Sequence, residues 1–395
     1  MPPVRASSER SRRAILTIAI ASIALETALL GMVAPLLPEI ERRTGAGDEA
    51  LGLALAAYAL PILLISIPVG RLADRIGRRP LLLGGLLLTG VGSILIAVSG
   101  ALPPLLLGRA VQGVGSTLSW VAALALVSDL ARPGRKGEAL GFAFAANSLG
   151  AVGGPALGGI VGGTVSFEAP FFLVAGIAIA TFVAAFTVLP RAAQPVAVAG
   201  AERAGAIRLL LRPAAVVPAM ASATGATVLG LIDFVVPLDF DRRLGTTATV
   251  IGVIFAAVAL IDAAAAPPAG KAGDRVGRRP VALAGALVMA SSGLLLTIAG
   301  GLAGACVALG ILAVGLSATF AATAPWLDET FGELDRGLAY GGLNLIFALG
   351  YTVGPLAGGW LLGRSGAETA YALIAIVSVL VATLLAIPLR RRLRL

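Results

Sequence analysis

Histidine is absent from the 395 residues, and cysteine occurs once. The first absence excludes histidine-ligated metal sites and histidine-based acid–base catalysis, so any proton this chain carries must ride on a carboxylate. The lone Cys306 excludes an intrachain disulfide. Charge is scarce as well: 13% of residues are Asp, Glu, Lys or Arg, against roughly 25% in a soluble domain. A water-facing surface of ordinary size cannot be built from so few. A phosphate-binding Gly-x4-Gly-Lys-Ser/Thr loop is missing too, which argues against ATP-driven pumping by this chain. What is plentiful is apolar: 58% hydrophobic residues, with 51 glycines and 23 prolines, both better tolerated in membrane helices than in soluble ones.

A membrane-crossing helix needs about 20 apolar residues. Such runs fall near 14–38, 50–69, 80–99, 104–129, 138–163 and 169–189, and again near 214–238, 247–269, 280–300, 302–326, 337–362 and 369–389. These predict an all-α membrane protein of twelve spanning helices, α1 to α12. The first run follows arginines as a signal peptide would, but it is too long for one and carries Glu26, so it is read as a retained helix. The formal charge of +9 is gathered in short clusters between the runs, a pattern of membrane orientation and not of nucleic-acid binding. With both termini inside, 24 of the 30 basic residues fall on cytoplasmic segments, and only Arg42, Arg43, Arg242, Arg243 and Arg364 outside. The expected topology is a multi-pass protein of the cell (inner) membrane with both termini cytoplasmic.

The chain repeats itself at an offset of 200 residues. Gly70-Arg-Leu-Ala-Asp74-Arg75-Ile-Gly77-Arg78-Arg79-Pro80 returns as Gly270-Lys-Ala-Gly-Asp274-Arg275-Val-Gly277-Arg278-Arg279-Pro280, identical at seven of eleven positions. Gly141, Gly150, Gly154, Pro155, Gly158 and Gly159 in α5 return as Gly341, Gly350, Gly354, Pro355, Gly358 and Gly359 in α11. Two parallel repeats with a substrate site between them describe one large class of transporter. The expected division is a six-helix bundle over 1–189, a basic linker over 190–213 and a second bundle over 214–395, related by pseudo-symmetry.

These motifs resemble the major facilitator superfamily, and the resemblance covers nearly the whole chain. The loop 70–80 is similar to that superfamily's signature between α2 and α3. The glycine and proline pattern of α5, and Arg109-x2-Gln112-Gly113-x-Gly115 in α4, resemble motifs of its drug/proton antiporters, which implies export. Inside that group, α1 (Glu26-Thr-Ala-Leu-Leu-Gly-Met-Val-Ala-Pro35-Leu-Leu-Pro38), Gln112–Ser116, Ala169-Pro170-Phe171 and Asp233-x3-Pro237 resemble vesicular monoamine transporters. Leu316 and Ser317 in α10, and Asn344 in α11, stand where that family's further acids are expected. The resemblance also implies a role for Arg109 in proton coupling, and a monomer. It further implies that Asp74 contacts the start of α11 while Arg78 pairs with Asp129.

Glu26 lies about twelve residues into α1, roughly 18 Å from its inner end. A carboxylate near the bilayer midplane costs about 2.5–3.5 kcal/mol on insertion scales. Such a group either trades a proton for a cationic cargo, the minimal chemistry of antiport, or is permanently paired with a basic residue or backbone donors. Asp233 is a second candidate acid from the other half, or an interfacial residue near the outer mouth. Asp262, in the inner third of α8, is a second proton site or a partner of cytoplasmic arginines. Arg109, near the outer end of α4, modulates Glu26 or snorkels to the interface. The charged loops 70–80 and 270–280 either latch the two halves or merely set topology; Gly70 and Gly77 permit turns there, and Pro80 can open α3. Pro155 and Pro355 invite bends. Tyr58, Trp120, Trp326, Tyr340, Tyr351 and Trp360 line a cavity or anchor the interface.

The sequence thus predicts a proton-coupled exporter of lipophilic, cationic small molecules working by alternating access. No cofactor or metal is called for, and the expected partners are the cargo, protons and the lipid bilayer. Efflux of a neutral metabolite and a transporter-like sensor are the alternatives. Glu26 corresponds to Ala226 in the repeat, Arg109 to Leu309 and Asp233 to Val33, so the moving parts are duplicated and the chemical ones are not.

Overall fold

The computed structural model describes residues 9–132, 135–190, 212–331 and 336–387. Most of the 190–213 linker lies outside them. Among the described residues, twelve helices are long and apolar enough to cross a membrane. Helix α1 (Glu9–Met32) passes through a 3-10 turn at Ala34–Leu36, holding Pro35, into a short extension, Leu37–Thr44. Then follow α2 (Asp48–Ile76), α3 (Arg78–Ala97), α4 (Leu102–Leu130), α5 (Lys136–Ala156) and α6 (Ala169–Val188). The second half has α7 (Pro213–Leu244), α8 (Ala248–Val276), α9 (Arg278–Ile298), α10 (Leu302–Phe331), α11 (Arg336–Ser365) and α12 (Ala367–Ala386). Prolines sit in the first turn of α4, α6 and α7, where the missing N–H has no helical partner to lose. An even number of spans puts Glu9 and Ile387 on one face, here the terminal face; the other is the distal face.

Helices α3, α6, α9 and α12 pack mainly within their own halves and leave Leu87, Ile179, Leu294 and Leu380 exposed. Such side chains form the surface that lipid covers. Helices α3 and α4 are the most buried of the first half, and α7 and α10 of the second. The halves meet along two equivalent seams, α2 with α11 and α5 with α8. Backbones touch there. A Cβ on Gly52 would lie 2.5 Å from the Pro355 carbonyl oxygen, and one on the equivalent Gly252 2.6 Å from that of Pro155. Within each half the same glycine-bearing helices lie on α1 and α7: a Cβ on Gly154 would be 2.9 Å from Ala28 Cα, and one on Gly354 2.6 Å from Leu231 N. Gly150 and Gly158 press on Ala24 and Met32 in the same way. After Pro155 the helix widens into a π turn, Leu157–Val161, before ending at Thr164, whereas α11 runs through Pro355 as α-helix.

Two local expectations are corrected. The charged segment 70–76 is not a loop but the last turns of α2, and 270–276 likewise ends α8. Helices project beyond the apolar slab, and charge does not end a helix once it is in water. Gly70 therefore makes no turn; Gly77 (φ 88°) and Gly277 (φ 99°) do, at backbone angles that side chains rarely adopt. Pro80 is the third residue of α3, not its first.

Candidate functional site

Glu26 is 1% exposed. Its carboxylate points into its own half, where α3 and α4 supply hydroxyls: Ser119 Oγ donates at 2.6 Å and Thr89 Oγ1 at 3.1 Å. Among the described residues no lysine or arginine is bonded to it. Small residues make the approach possible, because a Cβ on Gly115 would lie 2.7 Å from Thr89 N and one on Gly85 2.5 Å from Ser119 N. Tyr58 of α2 closes the site, donating to the Glu26 backbone carbonyl at 3.1 Å and lying 2.8 Å from Ser116 Oγ. An unbalanced charge in so dry a place is costly.

Arg109 is fully buried against the Tyr58 ring that closes this cluster. Its Nη1 donates to Gln112 Oε1 at 3.1 Å and to the Leu29 carbonyl at 3.4 Å, and its guanidinium lies 4.5 Å from the centre of the Tyr58 ring. Gln112 in turn donates to Ser93 Oγ at 2.9 Å. Among the described residues Nε and Nη2 of Arg109 have no hydrogen-bond partner, each a deficit of about 1–3 kcal/mol. The arginine neither snorkels nor bonds Glu26; the tyrosine face carries part of its charge.

Asp233 is 7% exposed and accepts from Tyr351 Oη of α11 at 2.6 Å, so it is an interior group of the second half. Tyr351 stacks on Phe347, with ring centres 5.8 Å apart. Asp262 is half-buried on α8; Ser317 donates to its backbone carbonyl at 2.8 Å, and no arginine among the described residues pairs with it. Asn344 donates to Ser66 Oγ at 3.3 Å, a bond across the α2–α11 seam. Trp360 is exposed beside Arg364, and the side chain of Tyr340 lies outside the described residues.

On the terminal face, Arg78 Nε lies 3.4 Å from Asp129, and the equivalent Arg278 3.2 Å from Glu329 and 2.6 Å from Asp274. Arg79 donates to the Phe186 carbonyl at 2.8 Å and Arg279 to that of Leu385 at 2.7 Å. Each motif therefore braces its own half, tying α3 to α4 and α6 and α9 to α10 and α12. Arg75 and Arg275 are exposed. The side chain of Asp74 lies outside the described residues.

On the distal face is a set of residues that composition and spans did not single out. Arg42 reaches Asp241 at 3.1 Å, and Arg242 reaches Glu41 at 2.6 Å and Asp48 at 2.5 Å. Arg364 holds Glu49 at 2.5 Å. All four pairs cross between the halves, and among the described residues every cross-half ion pair lies on this face. The signal was the same offset of 200: Glu39-x-Glu41-Arg42-Arg43-x-Gly45 returns as Asp239-x-Asp241-Arg242-Arg243-x-Gly245. Arg43 and Arg243 instead bond inward, to Glu39 at 2.8 Å and to Asp239 at 3.0 Å. Arg43 also lies 2.5 Å from Glu168, holding that carboxyl below the usual glutamate range, so this tether survives mild acid and is lost only as pH falls through the lowered value.

Exposed pairs contribute about 0–1 kcal/mol each. Arg42→Glu should lower the melting temperature of the purified protein in dilute buffer, and adding Asp241→Arg should restore most of the loss. The difference should shrink in molar salt, which a salt series of thermal melts measures.

Two parallel six-helix repeats, with backbone-close seams and buried carboxylates flanking them, define a multi-pass membrane transporter and not an enzyme. The sequence model of the Major Facilitator Superfamily matches residues 18–240 and 218–394, and the chain belongs to that family. It is 33% identical over 168 residues to the class B tetracycline resistance protein of Escherichia coli, covering 42% of this chain and 41% of that protein. It is 33% identical over 152 residues to the inner membrane transport protein YajR of Escherichia coli (strain K12), 38% of this chain and 33% of that one. The quinolone resistance protein NorA of Staphylococcus aureus is 30% identical over 154 residues, 39% of each. The matched stretch is thus a third to two fifths of these relatives' length. Among solved structures, a bacterial homolog of the human lysosomal transporter Spinster, inward-facing and occupied, superposes with TM-score 0.83 over 96% of this chain and 97% of that one, at 14% identity. A D-xylose–proton symporter superposes at 0.78 over 95% and 97%, at 17% identity. At such identities the likeness concerns the fold.

Proposed function

We propose that this chain is a proton-coupled exporter of lipophilic, cationic small molecules, working as a monomer in the cell (inner) membrane with its terminal face in the cytoplasm. The observation that carries this reading is Glu26: a carboxylate buried in a span, bonded by hydroxyls and by no cation. Hydroxyls serve the group in either state, donating to the anion or accepting from the acid, so a proton can come and go without unfolding the site. Asp233 with Tyr351 is a second carboxylate on the opposite half, suited to meeting a cation. Arg109 is a fixed positive charge held against the ring of Tyr58, the residue that closes the Glu26 cluster. The alternating segments are the two seams, with Pro155 and the π turn as a bending point on one side and Pro355 on the other. The relatives named for tetracycline and quinolone resistance support an export direction and a lipophilic cargo. The likeness of α1, α4, α5 and α7 to vesicular monoamine transporters supports a cation, while Leu316, Ser317 and Asn344 point away from monoamines themselves.

The test is uptake into inverted proteoliposomes with an acid interior. Tetraphenylphosphonium should accumulate, and a neutral sugar should neither accumulate nor compete. Accumulation of the sugar alone would establish neutral efflux, and binding without any flux would establish a sensor. Tyr351→Phe should then weaken tetraphenylphosphonium binding about three- to tenfold, the roughly 0.5–1.5 kcal/mol of one hydrogen bond, as measured by equilibrium binding.

A further inference from the structure

The inner ends of α1 and α5 enclose a cavity of about 490 Å³ on the terminal face, away from Glu26 and Asp233. Its rim holds four arginines and two glutamates. Three of the arginines converge on one carboxylate oxygen: Glu9 Oε1 lies 3.2 Å from Arg12, 3.5 Å from Arg13 and 2.8 Å from Arg132. Arg135 has Glu138 at 3.5 Å. One carboxylate cannot neutralise three guanidiniums, and among the described residues the rim sets four arginines against two glutamates, a surplus of positive charge. Arg12 is also held in place, its Nε donating to the Leu130 carbonyl at 2.8 Å. Below the rim the wall turns apolar, through Leu16, Ile20 and Phe142, and Phe142 is 60% exposed.

A positive rim over an apolar wall, where two helices leave the bilayer, is complementary to a molecule with an anionic oxygen-rich head and a hydrocarbon body. Topology-setting arginines need only be basic; they need not converge. We propose that this cavity binds the phosphate headgroup of an anionic phospholipid from the adjoining leaflet, with the acyl chain laid along Leu16, Ile20 and Phe142. Guanidiniums suit that headgroup because their planar N–H forks match phosphate oxygens two at a time. Basic pockets between membrane helices hold such headgroups by the same forces. The ligand occupies a site separate from the carboxylates that the transport reading uses, so the proposal stands or falls independently of it.

The experiment is native mass spectrometry and thermal melting of the detergent-purified transporter with phosphatidylglycerol, phosphatidylcholine or glycerol phosphate. Phosphatidylglycerol should be retained and should raise the melting temperature, and the other two should do neither. Arg13→Gln with Arg132→Gln should reduce retention about tenfold, while Arg13→Lys with Arg132→Lys, which keeps the charge but not the fork, should lose only part of it. Both positions are largely exposed, at 75% and 52% of their side-chain surface, so folding should survive. A control with the same loss of charge elsewhere, Arg212→Gln with Lys271→Gln, should bind normally. Equal retention of phosphatidylcholine, stabilisation by glycerol phosphate alone, unchanged retention in the Arg13/Arg132 variant, or an equal loss in the control would each overturn the assignment.

Discussion

Glu26→Gln should abolish proton-driven accumulation while leaving the protein folded and in the membrane. The substitution keeps the shape of the side chain, and the amide can still bond Ser119 and Thr89, which now hold the carboxylate at 2.6 and 3.1 Å. What is lost is the exchangeable proton. A gradient of one pH unit is worth about 1.4 kcal/mol per proton, enough to sustain about tenfold accumulation of a cargo exchanged one for one. With the membrane potential clamped, the accumulation ratio in the variant should fall to about one. Exchange of labelled for unlabelled cargo, which needs no net proton movement, should continue, because Glu26 is enclosed by α3 and α4 of its own half and is 1% exposed. Parallel gradient-driven and exchange assays separate these outcomes. Accumulation at the wild-type level would remove Glu26 from the mechanism.

The second large effect is expected at the seam. Gly52→Leu places its Cβ 2.5 Å from the Pro355 carbonyl oxygen and 3.4 Å from Gly359 Cα, before the rest of the side chain is counted. Neither contact is a flexible tip that can swing away, so α2 and α11 must separate. Overpacking of this kind costs about 1–3 kcal/mol, and here the cost falls only on the arrangement in which the distal ends are joined. That arrangement should lose roughly ten- to a hundredfold in population relative to its alternative. In a Cys306→Ala background, a cysteine introduced at Ala56, which is 2% exposed on the same helix, should label at least tenfold faster with a membrane-impermeant maleimide. Transport should fall in proportion. Gly252→Leu should do the same at the other seam, and Gly176→Leu on α6, where a side chain meets nothing within 4 Å, should do neither.

The twelve helices and the repeat were legible because a membrane helix must satisfy its own backbone and present about 20 apolar residues to lipid. Their ends were less so. Residues 70–76 are charged and glycine-led, which marks a loop in a soluble chain, yet here α2 simply leaves the bilayer and continues to Ile76. At the site, Glu26, Arg109 and Asp233 stood out because ionisable groups inside spans are rare. Their partners did not. Thr89 and Ser119 lie 63 and 93 positions from Glu26 and are common helix residues, brought together only by packing through Gly85 and Gly115. The expected closeness of Arg109 to Glu26 gave way to Tyr58, whose ring takes the arginine and whose hydroxyl takes the backbone of α1. The distal ion pairs were written in the repeat itself, at Glu41-Arg42 and Asp241-Arg242. They were passed over because each arginine, taken singly, reads as an interfacial charge.

Those distal pairs have a further consequence. Arg42 of one half grips Asp241 of the other, and Arg242 grips Glu41 in return. Each half therefore carries both the hook and the eye at the same two positions. Such a contact is self-complementary, the isologous kind that joins two identical subunits. Two copies of a single half would present matching surfaces to each other without any change at these residues. The junction of this transporter obeys the rules of a symmetric dimer although it lies within one chain. It should accordingly weaken by halves: a substitution on one side leaves the mirror bond intact, and replacing both Arg42 and Arg242 leaves, among the described residues, only the Arg364–Glu49 pair across the distal face.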